Sequence, residues 1–149
     1  MGYGVPAAIA ANLLFPDRTA IAIAGDGDFL MTGQELATAT AHGAGRGAGK
    51  LVIVVVDNGT YGTIRMHQER DYPARVSGTA LTNPDFVQLA RAYGWHAERV
   101  EATSGFEAAF DSAMQADAPT LLHLLLPEDV STSRTTLSAL RTAALARKS

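Results

Sequence analysis

The sequence predicts an α/β fold, a three-layer sandwich in which a mainly parallel sheet carries helices on both faces. Two apolar runs, residues 19–24 and 51–56, do not alternate with polar residues. Such runs are typical of parallel strands that are covered on both faces. Helical segments lie between the strand candidates, and this alternation indicates a layered fold with right-handed crossovers.

The first half of the chain contains two helices and the two clearest strands. Residues 5–15 predict an Ala/Leu-rich helix with Pro6 near its start, where a missing N–H costs little. Residues 32–42 predict a second helix, which follows the first strand and ends at Gly43. The glycine-rich stretch 43–49 then forms a loop before the strand at residues 51–56.

The second half continues the alternation. Asn83 as the cap and Pro84 at the first helical position predict a helix that runs to residue 93. Ser104 and Glu107 have the spacing of a capping box and predict a helix over residues 104–116. The remaining predicted elements are strands at 95–100 and 120–126, a helix at 61–69, and a terminal helix at 132–147 with Arg141, Arg147 and Lys148 near its end.

Composition indicates one domain, residues 1–149, of an ordinary soluble protein. Hydrophobic residues make up 47% and charged residues 18%, and there is no cysteine. The net charge of −3 gives no support for a nucleic-acid or membrane-surface partner, which would favour a basic patch. The start of the chain lacks the features of a signal peptide, so we expect a cytoplasmic protein.

Glycines and oxygen-bearing side chains follow the two clearest strands. Gly25-Asp26-Gly27 comes directly after the first strand, and Asp57-Asn58-Gly59-Thr60-Tyr61-Gly62 comes after the second. Ligands of open parallel sheets bind beyond the carboxyl ends of the strands. Carboxylate, amide and carbonyl oxygens suit Mg²⁺, and glycines let the backbone approach a phosphate. Asp-Gly alone more often marks a turn, but the paired segments predict a Mg²⁺–diphosphate site.

These segments resemble a known family. Gly25-Asp26-Gly27, 29 residues and then Asp57-Asn58 resemble the thiamine-diphosphate fingerprint, a GDG followed after a fixed interval by an Asn pair. The chain is similar to the C-terminal, diphosphate-binding domain of acetolactate-synthase-like and 2-oxo-acid-decarboxylase-like enzymes. Further similarity lies in residues 1–11, 33–39, 58–62 and 83–86.

The resemblance implies a cofactor, a metal and a set of contacts. Mg²⁺ would be bound by the Asp26 carboxylate, the Asn58 side-chain oxygen and the Thr60 carbonyl. Thiamine diphosphate would contact the backbone N–H groups of Gly27 and Asp28, and Met1 would support its bent shape. The other implied cofactor contacts are Gly25, Phe29, Asn58, Tyr61, Gly62, Thr63 and Ile64.

The sequence also departs from the family pattern. Asp28 stands where relatives often have Ser or Ala, Asp57 begins the Asn pair, and His67 occupies the position of a Trp that shapes the acceptor pocket of acetolactate synthases. The reading of His67 as solvated or substrate-facing stays open, and His42, His96 and His123 are interpreted as structural. A nucleotide-binding Rossmann domain is less well supported, because the third glycine of its motif is missing.

The resemblance further implies that the chain acts as part of a larger enzyme on a 2-oxo acid, forming or cleaving C–C bonds next to a carbonyl. The family's catalytic glutamate belongs to a pyrimidine-binding domain or subunit, so no catalytic residue is assigned here. We therefore expect a chain without N-terminal pyrimidine-binding and middle domains, inactive alone and forming a homo-oligomer. The alternative is a non-catalytic remnant or interaction domain of the same fold.

Overall fold

A computed structural model describes residues 1–132 and 134–147. The chain divides into two compact units, a first unit of Met1–Asp57 with Pro84–Leu125 and a second unit of Asn58–Asn83 with Leu126–Ser149. The strands are β1 Ala20–Gly25, β2 Leu51–Asp57, β3 His96–Val100, β4 Thr120–Leu125, β5 Val130–Thr132 and β6 Thr135–Thr136. The α-helices are α1 Gly4–Leu14, α2 Asp26–Phe29, α3 Leu36–His42, α4 Gly62–Asp71, α5 Phe86–Ala92, α6 Phe106–Gln115 and α7 Leu137–Ala146.

The first unit contains a four-stranded sheet in the order β1-β2-β4-β3. Every strand pair in it is parallel, which confirms the fold class and the strands predicted from the apolar runs. Gly25 at the end of β1 is in register with Val56 near the end of β2. The glycine turn after β1 and the Asp57 end of β2 therefore meet at the carboxyl edge of the sheet.

Helices cover both faces of this sheet. On one face, α1, α3 and α5 pack on β-strand residues such as Ile53 and Val55. On the other face, α6 packs through Ala109 and Ala113 on Val52 and Val54. Successive residues of a strand point to opposite faces, so β2 is buried on both sides, as its uninterrupted apolar sequence predicts.

β1 departs from that expectation. It is an edge strand that pairs with β2 alone in this sheet, and its Ile21 and Ile23 side chains are 49% and 73% exposed. The apolar run in β1 predicted coverage of both faces, and for this strand the prediction is wrong. The helix on that face, α6, packs against β3 and β4 at the other side of the sheet.

The starts of α5 and α6 differ from the sequence prediction, whereas the end of α3 agrees with it. Asp85, not Asn83, caps α5, because its Oδ1 accepts a hydrogen bond from the Gln88 N–H at 3.0 Å. Ser104 does not cap α6, because residues Thr103–Gly105 form a 3₁₀ turn and the helix begins after it without a side-chain cap. The predicted end of the second helix is confirmed, since α3 ends at His42 and Gly43 takes a left-handed φ of 73°.

The second unit pairs α4 with α7 and contains a short antiparallel hairpin of β5 and β6. The prediction that the terminal helix begins at residue 132 is wrong, because this residue ends β5. Thr136 caps α7 by accepting a hydrogen bond from the Ala139 N–H at 3.2 Å. Lys148, which was expected near the helix end, lies outside the described residues.

Candidate functional site

The turn after β1 presents a buried carboxylate. Asp26 is 2% exposed, and its Oδ1 accepts a hydrogen bond from the Gly27 N–H at 2.9 Å. Asp26 is also the first residue of the short helix α2, with Gly25 as its extended cap. Burial of a carboxylate is costly unless hydrogen bonds or a cation compensate its charge, so Asp26 suits a cation at the edge of the sheet.

Asp28 is held by the start of the chain. Its Oδ1 accepts a hydrogen bond from the Gly2 N–H. Gly2 takes a left-handed φ of 75°, which glycine adopts without a steric penalty. The neighbouring Met1 side chain is 69% exposed. The Asp28 carboxylate is therefore directed to Gly2, which accounts for an acid at a position where the family often has a smaller residue.

Phe29 belongs to the core of the first unit. Its side chain is fully buried and meets the Phe86 ring edge to face, with centroids 5.3 Å apart. A Cβ at Gly33 would lie 2.7 Å from the Phe29 ring, so that glycine is needed for the close approach. A contact between Phe29 and a cofactor would thus come from its backbone.

Asp57 pairs with a histidine that the sequence analysis did not select. The His123 Nε2 donates to Asp57 Oδ2 at 2.8 Å, and the two side chains are 4% and 12% exposed. His123 lies on β4 in register with Val55 of β2, two residues before Asp57. The only sequence signal was a single histidine inside an apolar strand. The bond directs the Asp57 carboxylate towards β4, in keeping with the interpretation that Asn58 rather than Asp57 is the metal ligand.

In the second unit, the segment after Asn58 is held by hydrogen bonds to its own residues and to Thr79. Asn58 Oδ1 accepts from the Thr60 N–H at 3.3 Å. Thr60 is 2% exposed, and its Oγ1 donates to the Thr79 carbonyl at 2.6 Å. The Tyr61 N–H donates to the same carbonyl at 2.9 Å. Thr60 is therefore held on both its side chain and its neighbouring backbone, as a carbonyl ligand of a metal would need to be.

The other predicted contacts of the second unit lie at the start of α4. A Cβ at Gly62 would lie 3.0 Å from Asn58 Nδ2, so only glycine leaves the Asn58 amide undisturbed. Thr63 and Ile64 are exposed in the first turn of α4. His67 is also exposed, and its Nδ1 accepts from Arg70 Nη2 at 2.7 Å. Both interpretations of His67, as a solvated or as a substrate-facing residue, predict an exposed side chain in this chain and stay open.

The predicted residues are thus divided between the units. Met1 and Gly25-Asp26-Gly27-Asp28-Phe29 lie in the first, and Asn58 with residues 60–64 lies in the second. In the described part of the chain, no three His, Asp or Glu side chains group as ligands for a metal ion. The predicted ligand set does not depend on such a group, because it combines one carboxylate with an amide oxygen and a carbonyl.

Comparison with known proteins defines the class. The model of the family described as "Thiamine pyrophosphate enzyme, C-terminal TPP binding domain" matches residues 1–124. The chain therefore belongs to this family of thiamine pyrophosphate (thiamine diphosphate) enzymes, and the resemblance inferred from the sequence motifs is confirmed.

Individual relatives support the same assignment. The acetolactate synthase isozyme 2 large subunit of Escherichia coli (strain K12) is 40% identical over 129 residues, which are 86% of this chain and 23% of that protein. The acetolactate synthase large subunit of Corynebacterium glutamicum is 38% identical over 135 residues, covering 87% and 21%. The structure of Rhodococcus jostii RHA1 thiamine diphosphate-dependent 4-hydroxybenzoylformate decarboxylase matches with a TM-score of 0.77 and 35% identity, covering 87% of this chain and 24% of that one.

The chain spans about a quarter of the length of these relatives. Most of the sequence of each relative therefore lies outside the region that matches this chain. Within residues 1–132 and 134–147, none of the helices has the length and apolar character that crossing a membrane requires.

Proposed function

We propose that this chain binds the diphosphate end of thiamine diphosphate together with Mg²⁺, as part of an acetolactate-synthase-like or 2-oxo-acid-decarboxylase-like enzyme. The observation that carries the proposal is the match of residues 1–124 to the family of thiamine pyrophosphate-binding domains. The buried Asp26 carboxylate after β1 supports it. The substrate would be a 2-oxo acid, the class of compound acted on by lyases and transferases of this type.

The residues present have the chemistry that a magnesium–diphosphate group requires. Asp26 would supply the carboxylate ligand, Asn58 the amide oxygen and Thr60 the backbone carbonyl. Mg²⁺ prefers such hard oxygen ligands and keeps phosphate oxygens and water in its remaining positions. The Gly27 and Asp28 N–H groups, the backbone donors that the resemblance implies for the diphosphate, lie in the four-residue helix α2. The Gly27 N–H donates to Asp26 Oδ1, so a bound diphosphate would have to share or replace that hydrogen bond. Gly25, Tyr61, Gly62, Thr63 and Ile64 would complete the contacts.

The resemblance to the family assigns different roles to this chain and to the pyrimidine-binding domain or subunit. When bound, thiamine diphosphate would supply the carbanion chemistry by which a C–C bond next to a carbonyl is formed or cleaved. The residues of this chain bind and orient the cofactor, and Met1 would support its bent shape. A pyrimidine-binding domain or subunit would hold the other end of the cofactor and supply the glutamate. We infer that the isolated chain is a binding half-site without turnover, and that the complete enzyme is a cytoplasmic homo-oligomer.

Calorimetric titration of the full chain with thiamine diphosphate tests the proposal. We expect saturable binding that requires Mg²⁺ and that Asp26→Asn weakens by about tenfold or more, the effect of losing a charged ligand. Asp111→Asn is the matched control, because Asp111 is an exposed carboxylate on α6. Binding that is equal with and without Mg²⁺, or unchanged in Asp26→Asn, would contradict the assignment, and absence of binding would favour a non-binding remnant of the fold.

A second assay addresses the catalytic half of the proposal. Purified chain with thiamine diphosphate, Mg²⁺ and pyruvate is expected to release no carbon dioxide above a blank without protein. Robust release by the chain alone would show that it does not depend on a glutamate from a partner.

A further inference from the structure

The second unit contains a fully buried acid that the proposed function does not use. Glu69 on α4 is 0% exposed. Its Oε2 accepts from Arg141 Nε at 2.8 Å and from the Ala74 N–H at 3.2 Å. Its Oε1 accepts from Arg141 Nη2 and from Arg65 Nε, the latter at 3.1 Å. Both oxygens are therefore saturated, and the Arg141 contact has the two-pronged geometry that makes such pairs strong and directional.

Arg141 comes from a helix that follows the residues matched by the family model. The match to the family model covers residues 1–124, whereas Arg141 lies in α7. The start of α7 is held in place by Asp129, which accepts hydrogen bonds from the Ser138 N–H at 2.8 Å and from Ser138 Oγ at 2.6 Å. Arg141 follows one helical turn after this anchor. Its position relative to Glu69 is thus set by the fold of the second unit itself.

From Glu69 a run of hydrogen bonds leads back to residues 58–64. Glu69 holds the Ala74 N–H, and Ala74 takes a left-handed φ of 62° that is unusual for a non-glycine residue. The adjacent Gln68 donates to the Ser77 carbonyl at 2.8 Å and accepts from the Ser77 N–H. Thr79, two residues further, receives the Thr60 hydroxyl and the Tyr61 N–H through its carbonyl. Residues 74–79 therefore form a support under the segment that carries Asn58 and Thr60.

We propose that Glu69 and Arg141 are positioning residues, which hold residues 58–64 in the shape that binds the magnesium–diphosphate group. This inference rests on the proposed function. Glu69 and Arg141 act from two sides: they fix α4, whose first turn contains Gly62, Thr63 and Ile64, and they fix the support at residues 74–79. The C-terminal helix is then part of the cofactor-binding apparatus even though it supplies no contact to the cofactor.

A purely architectural role makes a different prediction. An ion pair that only stabilised the fold would lower the free energy of unfolding while leaving cofactor affinity unchanged in the folded protein. A positioning role changes local order at residues 58–64 and cofactor affinity under conditions where the sheet stays fully folded.

The test uses the full chain with Arg141→Ala, Arg141→Lys and Arg147→Ala. Arg147 is the matched control, since its exposed side chain donates to the Ala143 carbonyl at the end of the same helix. The first measurement is hydrogen exchange without cofactor at the Tyr61 and Leu81 amides, which donate to the Thr79 and Gly59 carbonyls. The second is the affinity for thiamine diphosphate with Mg²⁺.

We expect Arg141→Ala to speed exchange at Tyr61 and Leu81 by about tenfold or more and to weaken cofactor binding by a similar factor. Exchange at the Ile53 amide, in the centre of β2, should stay unchanged in Arg141→Ala. In Arg147→Ala, both the exchange rates and the cofactor affinity should equal those of the wild type. Arg141→Lys keeps the charge but loses the two-pronged geometry, so it should recover part of the loss.

Equal exchange at Tyr61 and Leu81 in wild type and Arg141→Ala would overturn the proposal, and so would a uniform increase that includes Ile53. If Arg141→Ala does not fold, Arg141→Lys gives the same comparison. If the wild-type chain binds no cofactor, the proposed function fails. The exchange data then still decide whether Arg141 orders residues 58–64.

Discussion

Replacing Phe29 by alanine tests whether this residue, the second after the Gly25-Asp26-Gly27 turn, stabilises the core of the first unit. Phe29 is fully buried, and its ring lies 5.3 Å from that of Phe86 in an edge-to-face pair. Truncating a buried phenylalanine typically costs about 3–5 kcal/mol. The lost aromatic pair accounts for about 0.5–1.5 kcal/mol of such effects. The backbone at Gly33 already lies close to the ring, so neighbouring groups have little freedom to move into the cavity that Phe29→Ala leaves. We therefore expect the free energy of unfolding to fall by about 4 kcal/mol.

Urea unfolding of the first unit, followed by tryptophan fluorescence, measures this loss. The fluorophore is well placed, because Trp95 is 3% exposed and donates to the Leu36 carbonyl in the same core. Phe15→Ala is the matched control, since Phe15 is 54% exposed, and it should cost less than about 1 kcal/mol. A loss below about 1 kcal/mol for Phe29→Ala would refute the packing argument.

A conservative variant separates core packing from cofactor contact. Phe29→Leu should cost about 1.5 kcal/mol or less, because it preserves most of the buried volume. If Phe29 meets thiamine diphosphate only through its backbone, the folded Phe29→Leu chain keeps wild-type affinity. A tenfold weaker affinity in a folded Phe29→Leu chain would show instead that the ring itself contacts the cofactor.

Three further predictions concern single interactions. Asn12 is 2% exposed; it accepts a hydrogen bond from the Gly45 N–H at 2.6 Å and donates one to the Arg18 carbonyl at 3.2 Å. Asn12→Ala should lower the free energy of unfolding, measured in urea, by about 2–3 kcal/mol, because it leaves these backbone groups without a partner. Hydrogen bonding to Arg141 lowers the pKa of Glu69 to about 2. The ionised Glu69 therefore stabilises the fold fully above its unfolded-state pKa near 4.5, and this contribution is lost as the pH falls towards 2. Between pH 4.5 and pH 2, the melting temperature of Glu69→Gln should depend less on pH than that of the wild type. Ala74→Gly should raise the melting temperature, because a left-handed φ of 62° costs alanine about 1 kcal/mol more than glycine.

The strands could be predicted from the sequence because their signal is local. Residues 51–56 are apolar at every position, and a strand of that kind is stable only between two layers, which is where β2 lies. The same reasoning failed for β1, because a strand's own residues do not reveal whether it will be central or at the edge. Ile21 and Ile23 are as apolar as the residues of β2, yet the described chain leaves them exposed.

The helix caps and the polar partners were harder to predict, for different reasons. Asn83 and Asp85 are both good capping residues, and the choice of Asp85 depends on a tertiary contact, since its other oxygen pairs with Arg99 of β3 at 3.1 Å. Asp57 and His123 are 66 residues apart in sequence, so no local pattern links them. Glu69 stands in a charged stretch, residues 68–72, of a kind that is usually solvated, and it is buried because Arg141, 72 residues away, satisfies it.

The acids near the predicted site show how this chain could tolerate more negative charge than its family pattern has. Three carboxylates, Asp26, Asp28 and Asp57, lie around the carboxyl ends of β1 and β2, and each would repel a diphosphate at short range. Asp28 is bonded to the Gly2 N–H and Asp57 to His123 Nε2. Each therefore has a donor of its own that directs its charge to a neighbouring segment. Asp26 also has a donor, because its Oδ1 accepts from the Gly27 N–H; it remains the proposed carboxylate ligand on the resemblance to the family, and Mg²⁺ would screen its charge from the diphosphate. The two departures from the family pattern are thus compatible with the proposed cofactor, because each is matched by a donor within the first unit.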